Sequence, residues 1–299
     1  MAGYTDIAFR RLCRELGAGL TTTEMVSVRG LLFEGAKTKS LTEISKCESP
    51  SSVQFFGSNP ADFLLACQKG FLDGFDLIDI NMGCPMPKIT KNGGGSALLK
   101  DVASAAGIVK ALVSCGKTVT VKVRLGIKDK INAVDFCRAI EDSGASMIVV
   151  HGRTAQQLYS GQADWDAIGE VASKLKIPVI GNGDILAPLD ALTKLKTYPI
   201  SGIMIGRGAI SRPDIFDQCN NFPPMERWTQ SGRGGLKNII LKHIDYTLQH
   251  FSESFTVHKL RKHFAYYFKG IPNIKDLKMF LLRCESVDKM IESIKNTEF

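Results

Sequence analysis

Seven short, mostly apolar, β-prone runs punctuate the first two thirds of the chain, and their spacing limits the fold more than any other feature. They are Leu20 to Ser27, Ser52 to Gly57, Leu77 to Cys84, Thr118 to Gly126, Ser146 to Thr154, Pro178 to Ile185 and Gly202 to Ala209. Stretches with helical periodicity lie between most of them. Ala61 to Gly70 follows Pro60 and puts Phe63, Ala66 and Cys67 on one face. Val134 to Ser143 does so with Val134, Cys137, Ile140 and Glu141, and Asp164 to Leu175 with Trp165, Ile168 and Val171. Near-continuous apolar strands alternating with helices call for a parallel sheet covered on both faces.

Such a sheet is either open and doubly wound or closed into a barrel. Strand after strand ends in polar or Gly residues: Gln54, Asn81 with Cys84, Lys122, His151 with Arg153, Asn182 with Asp184, and Gly206 with Arg207. In a barrel all of these ends converge on one face, whereas in an open sheet only those at the switch point meet. The expected fold is therefore an α/β TIM (β/α)8 barrel. The chain opens at Met1-Ala2-Gly3-Tyr4-Thr5-Asp6, a strand-end turn leading into a helix from Ile7 to Leu16, so a first strand is expected upstream and the barrel is expected to have an open seam. After Ala209 the texture changes. Phe222-Pro223-Pro224 breaks the pattern, Ser231 to Gly235 reads as a flexible run, and from Leu236 onward the periodicity is helical. Two domains are expected: a catalytic barrel over 1–225 and a small all-α domain over 226–299.

The apolar fraction of 44% and charged fraction of 23% supply a substantial core. No apolar run reaches the roughly 18 residues of a membrane span, and no basic-then-apolar leader precedes the first helix, so a cytoplasmic location is expected. Eight widely spaced cysteines without a C-x-x-C pair point to reduced thiols rather than zinc, and no metal is expected. The net charge of +8 is uneven: residues 226–299 hold 13 Lys+Arg against 8 Asp+Glu. That concentration points to a polyanionic partner.

The most informative segment is Asp79-Ile80-Asn81-Met82-Gly83-Cys84-Pro85, followed by Lys88, Lys91, Asn92 and the glycines 93 to 95. A strand delivers Asn81 and Cys84 to its C-terminal end, and a glycine-rich loop then enters a helix. Gly83 and Pro85 shape an accessible loop around Cys84, which separates it from the other, buried and inert, thiols. Lys122 stands amid apolar strand residues, where an ammonium needs an anion. Asn182-Gly183-Asp184 and Gly206-Arg207 end adjacent strands, where barrels often hold a phosphate. In the tail, Lys259, Lys262, Tyr266 and Lys269 fall in one helical sector beside Leu260, Phe264 and Phe268.

Met-Ala-Gly-x-Thr-Asp, Asn-x-Gly-Cys-Pro, His151-Gly152-Arg153-Thr154, Asn182-Gly183-Asp184-Ile185 and Gly206-Arg207-Gly208-Ala209 occur in an order that resembles the tRNA-dihydrouridine synthases. The tail segments Arg261-Lys262-His263 and Lys269-Gly270-Ile271-Pro272 are similar to that family's C-terminal domain. The resemblance implies an FMN-dependent reductase of the uracil C5–C6 double bond in tRNA. NADPH or NADH would reduce the flavin, hydride would pass from N5 to C6, and Cys84 would give the proton to C5. It places Met1, Ala2 and Gln54 against the flavin ring, Lys122 at its N1 and O2 edge, and His151 near flavin and uracil. It gives the flavin phosphate to Asn182, Gly183, Asp184, Gly206 and Arg207. Asn81 falls on the substrate side, Arg153 on RNA or the flavin phosphate, and Lys259, Lys262 and Lys269 on tRNA. Other FMN barrels, such as dihydroorotate dehydrogenases and ene-reductases, act on small molecules, and the basic tail argues against them. A non-catalytic RNA-binding barrel is the competing reading from outside enzymology.

Overall fold

The computed structural model describes residues 1–33, 36–221 and 234–299. The expected domain boundary near residue 226 lies outside the described residues. All seven expected strands form: β1 Thr21–Ser27, β2 Ser51–Phe56, β3 Leu77–Met82, β4 Val119–Arg124, β5 Met147–His151, β6 Val179–Asn182 and β7 Gly202–Met204. They make one parallel sheet in the order β1-β2-β3-β4-β5-β6-β7, curled as an open barrel. The edge strands β1 and β7 do not pair with each other among the described residues. Met1 lies at that seam, its Sδ 3.3 Å from where a Gly206 Cβ would stand.

Helices connect the strands: α1 Ile7–Glu15, α2 Val28–Leu32, α3 Ala36–Ser40, α4 Pro60–Gln68, α5 Pro87–Thr90, α6 Val102–Ser114, α7 Ala133–Asp142, α8 Trp165–Lys174, α9 Pro188–Thr197, α10 Arg207–Ser211 and α11 Ile215–Asn220. Side chains of Asn59, Asp101, Asn132 and Asp164 accept first-turn N–H groups and so start α4, α6, α7 and α8. Glu141 is not simply an apolar-face residue of α7: its Oε1 accepts the N–H groups of Lys176 (2.6 Å) and Ile177 (2.8 Å) ahead of β6.

The strands alternate more than their sequences lead one to expect. Val53, Phe55, Ile78, Ile80, Val119, Val121 and Val123 pack in the main core with Phe63, Ile108, Leu112, Ile140 and Ile168 from the surrounding helices. The opposite face of the same strands carries Gln54, Asp79, Asn81, Thr120, Lys122 and Arg124. The barrel interior is therefore polar toward its C-terminal mouth. The strands also end earlier than the apolar runs, because their last residues leave the ladder for local bonds such as Arg153 N–H to His151 O at 2.7 Å. After β3 the glycine loop enters a 3₁₀ turn, Gly95–Lys100, before α6 begins.

The tail is α12 Gly234–His250, α13 Glu253–Tyr267, α14 Lys275–Arg283 and α15 Val287–Asn296. It has its own core, with Ile240, Ile244, Leu260, Phe264, Leu281 and Met290. A third cluster of Phe9, Leu12, Ile210, Ile239 and Tyr246 joins it to the barrel through α1. Asp6 serves both sides. Its Oδ1 caps α1 by accepting the Phe9 N–H at 2.9 Å, and its Oδ2 pairs with Lys259 of α13 at 2.9 Å. Among the described residues no helix is long and apolar enough to cross a membrane.

Candidate active site

The β3 end is built around one amide. Asn81 Oδ1 accepts the N–H groups of Cys84 (2.8 Å) and Gly83 (3.2 Å), while its Nδ2 donates to Gln54 Oε1 at 2.9 Å. Gln54 in turn donates to Asp79 Oδ2 at 2.6 Å, and Thr120 donates to Asp79 Oδ1 at 2.6 Å. These groups form a buried polar ladder across β2, β3 and β4. Burial pushes the Asp79 carboxyl up, against the pull of Thr120, Gln54 and Lys122.

The loop after Asn81 closes tightly over Cys84. The Ser96 N–H donates to the Cys84 carbonyl at 2.9 Å. Gly95 has φ +58°, and a Cβ there would stand 2.6 Å from that same carbonyl, so only glycine fits. Contrary to the accessible loop expected from Gly83 and Pro85, Cys84 is buried at 7% exposure, because the loop folds back over it; burial raises its thiol pKa, which the Met86 N–H and the Arg124 charge draw back down. A thiol of ordinary pKa ~8.5, pushed higher, is protonated at neutral pH and can act as an acid.

Cations collect on the next strands. Lys122 Nζ donates to Asn182 Oδ1 at 3.0 Å, and Asn182 Nδ2 donates to Met204 O at 2.8 Å. Burial, with Arg124 adding, lowers the Lys122 pKa to about 8, while Asp79 opposes. His151 is pushed down to about 2 by burial and by Lys122, Arg124, Arg153 and Arg207, so its ring is neutral at physiological pH. Asp184, at φ +53°, bridges Arg153 (2.7 Å) and Arg207 (2.9 Å) and accepts the Ala163 N–H at 2.7 Å. Burial works to raise its pKa, but the Ala163 N–H and the two arginines hold it below the usual carboxylate range. Arg207 also lies over the Tyr159 ring, 4.5 Å from its centroid.

The mouth brings together Cys84, Asn81, Gln54, Lys122, His151, Asn182, Gly183, Asp184, Gly206 and Arg207, with Met1 at its seam. Ala2 is exposed beside Met1. Arg153 differs from expectation. It is 1% exposed, its Nε donates to Ser160 O (3.0 Å) and its Nη2 to Gly161 O (2.6 Å), so it has no free path to RNA. The tail lysines do not form one solvent face either. Lys259 is committed to Asp6, because α13 docks on the start of α1, and Lys262 is half-buried 5.4 Å from the Tyr4 ring centroid. Lys269 alone of the three stands exposed. Asn81, expected on the substrate side, spends its amide on Gln54 and the Cys84 loop.

Sequence reasoning passed over Asp79, Arg124 and Tyr159. Asp79 and Arg124 carry the signal that singled out Lys122, a charge on the inward face of a β-rich run. Tyr159 carries none, since it lies in the loop before α8. A groove of about 350 Å³ between α7 and α8, lined by Asn132, Asp164 and Glu170, lies on the flank and holds none of these residues.

The donor set fits an anionic cofactor such as a flavin nucleotide. Lys122 has no carboxylate within ion-pair distance among the described residues, and Arg153 Nη1 is buried without a partner. A dihydrouridine synthase family model matches residues 1–298. The chain belongs to the dihydrouridine synthase family. It is 39% identical over 277 residues to a probable tRNA-dihydrouridine synthase of Rickettsia conorii, covering 91% of this chain and 84% of that one. It is 34% identical over 298 residues to tRNA-dihydrouridine synthase B of Pseudomonas aeruginosa, covering 99% and 90%. Among solved structures, histamine dehydrogenase from Rhizobium sp. 4-9 gives a TM-score of 0.52 at 14% identity, covering 82% of this chain and 47% of that one, a likeness of fold alone. Family membership agrees with the resemblance carried by the order of the strand-end motifs.

Proposed function

We propose that this chain reduces a uridine base of tRNA to 5,6-dihydrouridine in the cytoplasm, with FMN as cofactor, NADPH as reductant and Cys84 as the proton donor. The observation that carries the reading is the Cys84 loop: a protonated thiol held rigidly by Asn81 at the mouth of a barrel whose next strands present unpaired cations. Bound FMN supplies the hydride for uracil C6. Lys122, its ammonium fixed by Asn182, would supply the positive charge for a reduced, anionic flavin. Gln54, Met1 and Ala2 would help hold its ring, and His151, neutral, would donate or accept without adding charge. Gly183, Gly206 and Arg207 take the phosphate, while Asp184 and Arg153 hold Arg207 and the neighbouring loop in place. Cys84 would deliver its proton to C5. Asn81 positions that thiol.

A stacked uridine must leave its stack to reach this mouth, and phosphate contacts help offset that cost. Lys262, beside Gly3 at the mouth, and Lys269, in solvent, are the tail residues placed for such contacts. The test is to map dihydrouridine in tRNA from cells with and without the protein, alongside flavin absorbance of the purified chain. Loss of dihydrouridine at one position without the protein supports the reading. Unchanged tRNA, or a colourless protein that still binds RNA, overturns it.

A further inference from the structure

Arg124 closes β4 two residues beyond Lys122, on the same inward face. It is 7% exposed, and among the described residues it makes no ion pair. Its Nη1 donates to Thr154 O at 2.7 Å and to Leu158 O at 3.1 Å, which fixes the guanidinium plane and leaves Nε and Nη2 without a protein acceptor among the described residues. A buried cation without a counter-charge is costly, and a fold keeps one where an anion forms. The β3–β4 register pairs Met82 with Val123, so the next residues, Gly83 and Arg124, abut. A Cβ on Gly83 would stand 3.3 Å from Arg124 Cγ, so the missing side chain lets the arginine stem lie against the loop that carries Cys84.

We propose that Arg124 is a positioning residue for the proton transfer: it stabilises the thiolate that Cys84 becomes when its proton leaves. This rests on the reading of Cys84 as the acid. In that step the Sγ–H bond breaks, the proton forms the new C–H bond at C5, and the electron pair stays on Sγ. The resulting anion is buried and needs compensation. The Met86 N–H and the Arg124 charge both favour that anion, against burial, and the Arg124 stem lies against the loop that carries Cys84. The other charged and titratable groups of the mouth do not take this role. Lys122 is engaged with Asn182, Asp79 with Thr120 and Gln54, His151 is neutral, and Arg153 and Arg207 are bound to Asp184.

The test uses the FMN-loaded protein. Alkylation of Cys84 by iodoacetamide is followed by peptide mass spectrometry across pH in wild type, Arg124→Met and Arg124→Lys. An opposite charge at close range shifts a pKa by about one unit or more, so Arg124→Met should move the alkylation midpoint up by about one pH unit, with the rate near neutral pH falling about tenfold. Arg124→Lys should recover at least half of that shift. In rapid mixing, prereduced Arg124→Met should be reoxidised by unmodified tRNA more slowly and with its pH profile moved upward, while reduction by NADPH stays at the wild-type rate. An unchanged alkylation midpoint overturns the proposal, and so does equal slowing of NADPH reduction, which would assign Arg124 to the flavin. If Arg124→Met loses FMN, Arg124→Lys decides: a midpoint near wild type supports the proposal, and a shift of a full unit overturns it. If wild-type prereduced protein ignores tRNA, the proposed function fails, and the alkylation midpoint still decides whether Arg124 governs Cys84.

Discussion

Asn81 Oδ1 accepts the backbone N–H of Cys84 at 2.8 Å, and the same amide donates to Gln54 at 2.9 Å. One side chain thus fixes the backbone of Cys84, the proposed proton donor, and ties it to the floor of the site. Asn81→Ala leaves two loop N–H groups and the Gln54 carbonyl unpaired in a buried place, at a cost of roughly 1–3 kcal/mol for an unsatisfied group. The expected result in urea unfolding is a loss of about 2–4 kcal/mol, with slower tRNA-driven flavin reoxidation. A fully stable Asn81→Ala variant would show that the loop holds itself.

Asp184 joins a fully buried arginine to a half-exposed one. Asp184→Asn keeps a residue that tolerates positive φ and removes only the charge. Arg153 then sits buried without its carboxylate, and removing one partner of a buried pair costs about 3 kcal/mol or more. The expected outcome is a lower thermal midpoint together with weaker FMN retention, read from flavin release on dilution. Loss of stability with FMN affinity intact would separate this cluster from the cofactor.

Lys259 and Lys269 should behave differently although sequence groups them. Lys269→Ala removes an exposed cation, so tRNA affinity should weaken and the slope of log affinity against log salt should fall by about one. Lys259→Met instead strands Asp6, which is 6% exposed at its side chain, and should lower the thermal midpoint of the barrel–tail unit with little change in salt slope. The reverse pattern would return Lys259 to the RNA surface.

His243 on α12 is buried at the barrel–tail junction, its Nδ1 2.9 Å from the Tyr267 hydroxyl and its ring 4.7 Å from that of His263. Burial lowers its pKa from 6.5 to about 4, with Asp6 opposing and Lys259 adding. Because the folded value is depressed, the unfolded chain binds the proton first as pH falls. Stability is complete above about pH 6.5 and is lost as pH drops toward 4, by about 3 kcal/mol from this group. His243→Gln cannot titrate, so urea unfolding in pH steps should show a shallower acid decline than wild type. Parallel declines would remove His243 from the account.

The strands were legible because one face of each packs under helices and must be apolar, as Ile78, Ile80, Val121 and Val123 do. Their ends were not, since loop bonds such as Asn81 to Cys84 draw residues out of the ladder whatever their hydrophobicity. Lys122 was found as a charge in a strand, and the same argument two residues on would have found Arg124. The fates of Arg153 and Lys259 were hidden because their partners, Asp184 and Asp6, lie far away in sequence and meet them only through the fold.

The central claim is that Cys84 gives a proton to uracil C5 after hydride reaches C6. Cys84→Ala keeps Asn81 and the loop backbone, so the variant should bind FMN and be reduced by NADPH as wild type is. Rapid mixing of the prereduced variant with unmodified tRNA tests the claim most directly. General acid catalysis supplies ~10²- to 10⁴-fold, so flavin reoxidation should slow by about that factor. Reoxidation at the wild-type rate would contradict the account.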